Sequence, residues 1–132
     1  MNCTVFYESW QMECCGTAFS IGDTVTWFVY KTTQINTPVD VEEINYCYEA
    51  HSSDFKNIFV LKGKVEAIKI LYERYAPSTE NPRFLVPVGG KVVKTEFAEG
   101  FEKFDNMQAS GYIVHLNEYT IRPAKKEDIT FK

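Results

Sequence analysis

The chain has 132 residues, enough for one domain with a single core. Hydrophobic residues make up 45% and charged residues 24%, values of a globular chain and not of a disordered one. The formal net charge of −4 argues against tight non-specific nucleic-acid binding, which Lys and Arg supply by neutralising phosphates. No apolar run reaches the roughly 18–20 residues of a membrane helix.

Charge is unevenly placed. Residues 1–60 carry 8 acidic and 2 basic side chains, and residues 61–132 carry 10 and 12. Met1-Asn2-Cys3-Thr4 has neither the charged start nor the apolar stretch of an export signal, so a cytoplasmic location is expected. Cys3, Cys14, Cys15 and Cys47 are then expected as thiols.

Residues 3–7, Cys-Thr-Val-Phe-Tyr, read as a first strand, β-branched and aromatic. Residues 8–22 show no helical period and read as a long loop ending in a turn at Ile21-Gly22-Asp23. Residues 24–31 alternate as a second strand, with Val25, Trp27 and Val29 on one face. Residues 32–38 are polar. Residues 39–50 fit a short helical or irregular lead into a strand at 44–50, followed by a turn at His51-Ser52-Ser53-Asp54.

Residues 57–75 hold the longest apolar pattern, which Gly63 interrupts as a bulge or sharp bend would. A loop is expected over 76–83, an extended piece at 84–88, a turn at Gly89-Gly90 and a strand at 91–97. Residues 98–110 read as partial helix or loop. Tyr112, Val114 and Leu116 alternate in a further strand, Asn117-Glu118 reads as a turn, and Pro123 stops the last extended piece.

These patterns predict a mostly β fold, a small curled antiparallel sheet or barrel of SH3-like or OB-like type, with room for a short helix. Residues 1–123 form the single domain and 124–132 a charged tail.

The string Glu8-Ser9-Trp10-Gln11-Met12-Glu13-Cys14-Cys15-Gly16, with Phe19-Ser20-Ile21-Gly22-Asp23 behind it, resembles a family of small bacterial proteins of unknown function. Tyr48-Glu49-Ala50-His51, Gly111-Tyr112-Ile113-Val114 and Arg122-Pro123 extend the likeness over most of the chain. The resemblance implies no activity and no site residues.

Unusual residues crowd into 8–19, and function concentrates in long loops. The expected function is therefore a binding module without catalysis, for an unknown protein or small molecule. Its ligand-binding residues would be Trp10, Glu13, Cys14, Cys15 and His51, with no cofactor and no metal. Trp10, Met12, Phe19 and Trp27 could form an aromatic platform, against the plainer reading of Trp27 as core and Trp10 as a plug. The rival is a thiol- or zinc-dependent enzyme at Cys14, Cys15 and His51. Against it, adjacent cysteines rarely share one metal, no Cys-x-x-Cys pair exists, and buried thiols are commonly small hydrophobes. Single-stranded nucleic-acid binding is a third reading that the net charge disfavours. A monomer or homodimer fits the exposed strand edges that such folds leave.

Overall fold

The computed structural model describes residues 1–50 and 55–130, without the side chains of Cys15, Phe55, Ile129 and Thr130. Alternation of apolar and polar residues builds nine strands. They are β1 (Asn2–Glu8), β2 (Phe19–Ser20), β3 (Thr24–Lys31), β4 (Tyr46–Tyr48), β5 (Phe59–Pro77), β6 (Leu85–Thr95), β7 (Phe97–Ala98), β8 (Lys103–Phe104) and β9 (Met107–Pro123). Helices α1 (Ser9–Cys15) and α2 (Lys126–Thr130) and a short 3-10 helix (Phe55–Asn57) complete the elements among the described residues.

Seven strands form one sheet in the order β6-β5-β3-β4-β1-β9-β8, and β5 also pairs with β9. That extra pairing joins β5, β3, β4, β1 and β9 into a ring. The mostly β, curled architecture expected from the sequence is therefore present. The antiparallel part of that expectation needs correcting, because β1 and β4 run parallel, with Val5 opposite Tyr46. β4 slots between β1 and β3, and the chain from β3 to β4 crosses the outside of the sheet to reach it. β2 and β7 make a second, two-stranded sheet.

Inside the ring lie Val5, Tyr7, Trp27, Val29, Leu61, Val65, Ile68, Tyr112, Val114 and Leu116, all buried. Trp27 and Phe19 are core residues in edge contact, their ring centroids 5.1 Å apart, and not a platform. A second apolar layer lies outside the ring. There Phe6, Cys47, Leu71 and Ile113 are covered by a strap, residues 32–45, through Ile44 and the partly buried Ile35, Val39 and Val41.

Several local expectations are overturned for physical reasons. Residues 9–15 are helical, and seven residues make only two turns, too few for a period to show. Gly89-Gly90 does not turn the chain, since β6 runs through it. A Cβ on Gly90 would lie 1.9 Å from the Tyr72 carbonyl oxygen, so glycine serves close approach of β6 to β5. The 98–110 stretch holds β7, β8 and a two-residue hairpin turn, with Asp105 and Asn106 at φ 48° and 64°. Asn117-Glu118 is a bulge inside β9, and Glu118 has φ 50°. The irregularity expected at Gly63 is present as a register shift between Lys62 and Lys64. Residues 126–130 form α2, with Asp128 bonded to Arg122 at 2.8 Å. The turn expected at 51–54 lies outside the described residues.

Candidate functional site

Helix α1 closes one end of the ring with its inward side chains. Gln11 is fully buried, donates through Nε2 to the Tyr48 carbonyl (3.1 Å) and accepts the Ala50 N–H (3.0 Å). Met12 is buried beside it, and Ser9 donates to the Ala109 carbonyl at 2.6 Å. Tyr48, fixed by Gln11, stacks on Tyr7 at 3.8 Å between ring centroids. The plug role considered for Trp10 thus falls to Gln11 and Met12.

Of the five predicted site residues, the structure describes the side chains of Trp10, Glu13 and Cys14. Trp10 is 49% exposed and donates its indole N–H to Glu8 Oε2 at 3.0 Å. Glu13 accepts the Phe101 N–H at 3.1 Å, helping hold Phe101 at φ 64°. Cys14 is exposed and disulfide-bonded, which departs from the four-thiol expectation. The backbone of Cys15 continues α1, and its side chain is not among those described. His51 lies outside the described residues. Cys3 and Cys47 are free and buried, and burial pushes the Cys3 thiol up to about 11. Among the described residues, no three His, Cys, Asp or Glu side chains gather as a metal site would need.

Sequence reasoning missed a cleft on the outer face of the sheet. It has a volume of about 480 Å³. Its floor is apolar, built from Phe6, Cys47 and Leu71, and its roof is the start of the strap, Thr32 to Asn36. The floor packs tightly because β9 has Gly111 there, where a Cβ would sit 2.4 Å from the Phe6 ring. Glu8, Tyr30, Glu73, Tyr75 and Ser110 give the walls their polar groups. Among the described residues, no Lys or Arg lines it.

Glu73 is the unusual member. It is 5% exposed, yet it sits on β5 in a run where its charge suggests a solvent-facing position. Ser110 donates to Oε1, and Thr37 of the strap donates to Oε2 at 2.9 Å. Among the described residues it makes no ion pair. The surrounding phenols record the same negative field. Burial first, then the Cys47 hydrogen bond and the charges of Glu8 and Glu49, push the Tyr30 hydroxyl up to about 12. Tyr75 is also raised, by burial and then by the charge of Glu73. Burial raises Cys47 as well, and Glu8 adds to that, while the Tyr30 hydrogen bond opposes it.

Two other clefts are less suited. One of about 490 Å³ is lined by Lys31, Lys56 and Glu49, so its charges are mixed. The mouth beside Thr17 and Trp27, about 440 Å³, joins core side chains (Tyr7, Phe19, Val25, Trp27) to exposed Thr17, Thr24 and Thr26, with Asp23 as its one charged group among the described residues.

Sequence comparison places the chain among relatives, with a match over residues 1–118. The chain belongs to DUF6578, a family of unknown function. No curated protein and no solved structure matches it. The matched span of this DUF6578 chain includes α1, the strap and every wall of the Glu73 cleft. No described helix is long and apolar enough to cross a membrane.

Proposed function

We propose that this chain is a non-catalytic binding module whose site is the cleft under the strap, and that its ligand is a small molecule. The observation that supports it is Glu73, a buried carboxylate set in the wall of a cleft where no described residue supplies a countercharge. Burying an ionised group is costly unless it is paired, so its retention there calls for a role. The volume falls within the roughly 300–1,000 Å³ typical of small-molecule sites. Trp10 enters through Glu8, which it bonds at one end of the cleft.

The experiment is a ligand-observed NMR fragment screen on the whole chain and on Gln34→Trp. Gln34 is exposed on the cleft roof, so a bulky ring there fills the mouth without touching the core. Fragments are expected to bind the natural chain and to be lost on the variant. Absence of any binder, or binding that ignores Gln34→Trp, refutes the reading.

A second reading keeps the site on the outer face of α1, at Trp10 and Glu13. It is favoured by Phe101, an exposed aromatic held in a left-handed conformation by Glu13. Fragment contacts abolished by Trp10→Ala and Glu13→Gln, but not by Gln34→Trp, would select it.

A further inference from the structure

The chemistry of the cleft walls narrows the ligand further. A carboxylate offers about four lone-pair positions. On Glu73 two of these are taken by the hydroxyls of Ser110 and Thr37, and the Tyr75 hydroxyl bonds the same carboxylate. These donors are neutral, and among the described residues no Lys, Arg or His pairs with the carboxylate. Arg74, the next residue, is exposed. Glu8 adds a second carboxylate to the same cleft. An anion would meet two like charges at short range and few donors to offset them. A neutral ligand would leave the buried charge as it is.

The aromatic walls point the same way. Tyr30 and Tyr75 line the cleft with half-open rings, 37% and 46% exposed. Aromatic faces attract cations, most strongly where water is excluded. Their hydroxyls stay protonated through the neutral range, so they add no charge of their own. Asn36 and Gln34 in the roof offer amide oxygens to remaining N–H groups.

We propose that the ligand of this cleft is an organic cation, with an ammonium group seated on the Glu73 carboxylate between Tyr30 and Tyr75. This rests on the cleft reading above. The ammonium donates to the lone-pair position of Glu73 that the three hydroxyls leave open, and Glu8 holds a second cationic group or raises the local concentration of the first. Specificity follows from charge, because the same wall that attracts an amine rejects a carboxylate of equal length.

The test is isothermal titration of the whole chain with three probes of matched length, 1,4-diaminobutane, 1,4-butanediol and succinate. The diamine is expected to bind, more weakly as salt is added, and the diol and diacid are not. Glu73→Gln keeps the shape and the acceptor oxygen and is expected to weaken the diamine about tenfold or more. Glu8→Gln retains an oxygen for the Trp10 indole and is expected to weaken it about threefold. It decides the matter if Glu73→Gln fails to fold, as judged by its amide NMR dispersion. Diol or succinate binding as tightly as the diamine overturns the proposal, as does no diamine binding at about 10 mM. So does diamine binding that Glu8→Gln and salt leave unchanged. Neutral fragments that bind and are lost on Gln34→Trp, beside a silent diamine, would sink this inference and leave the cleft reading standing. No binder of any kind sinks both.

Discussion

Gln11 is the sharpest stability test, because it looked like one polar residue in an odd string and is in fact fully buried. Gln11→Leu keeps about the same volume and removes both hydrogen bonds. The Tyr48 carbonyl and the Ala50 N–H, which Gln11 serves at 3.1 and 3.0 Å, lose that partner in a water-poor place. Each such loss costs about 1–3 kcal/mol, and better burial of the Leu side chain offsets part of the total. The expected net loss is about 2–4 kcal/mol, a large share of the roughly 5–15 kcal/mol that holds a domain together. Urea unfolding followed by tyrosine and tryptophan fluorescence reads it as a midpoint lowered by about 1–2 M at an unchanged slope. Hydrogen exchange at the Ala50 amide should quicken as well. Trp10→Ala, next door but half exposed, should cost less than about 1 kcal/mol. A Gln11→Leu midpoint equal to that of the natural chain, or a costlier Trp10→Ala, would refute the assignment of α1 as a plug pinned by Gln11.

Other outcomes follow from single contacts. Gly90→Ala should loosen β6 and lower the melting temperature sharply, since its Cβ meets backbone; Gly89→Ala, which meets only the Arg74 guanidinium at 3.4 Å, should be tolerated. Equal melting temperatures for the two would count against a tight β5–β6 approach. Glu42 sits 3.1 Å from Lys69 Nζ and 2.9 Å from His115 Nε2. Burial pulls its carboxyl up, but hydrogen bonds and charge from His115 and Lys69 outweigh that and hold it below its ordinary 4.5. Its folded pKa being the lower one, its contribution is present above pH 4.5 and lost as pH falls below that value. Glu42→Gln should therefore flatten the acid limb of the stability curve, and an unchanged limb would show that the strap is not held there. Cys3, pushed up to about 11, should alkylate slowly when folded and fast in urea. At pH 8 only about one thiol in a thousand is ionised. Native labelling as fast as in urea would contradict its burial.

Much of the β framework could be read from the sequence, because alternation is local. Val25, Trp27 and Val29 announce the inward face of β3, and the structure buries all three. What stayed hidden depends on partners far along the chain. Glu73 differs from the solvated Glu66 of the same strand only because Thr37, 36 residues earlier, and Ser110, 37 later, come to rest on it. No window around Glu73 contains that fact. Likewise Gly89-Gly90 carries the composition of a turn, and only the approach of the Tyr72 carbonyl shows why glycine is there. Asp105-Asn106 did carry a local signal, since both residue types tolerate left-handed backbone, but without a glycine it is a quiet one.

β9 supplies a neighbour to β1 along its whole length and to β5 along most of its own. Both of those strands are made earlier, β1 more than a hundred residues earlier. A nascent chain that has reached residue 106 therefore holds every other strand of the ring but has no means of closing it. Its apolar inner face stays open at two unpaired edges until the span Met107–Pro123 leaves the ribosome. Vectorial synthesis gives this fold little to settle early, and the last-made strand acts as its latch.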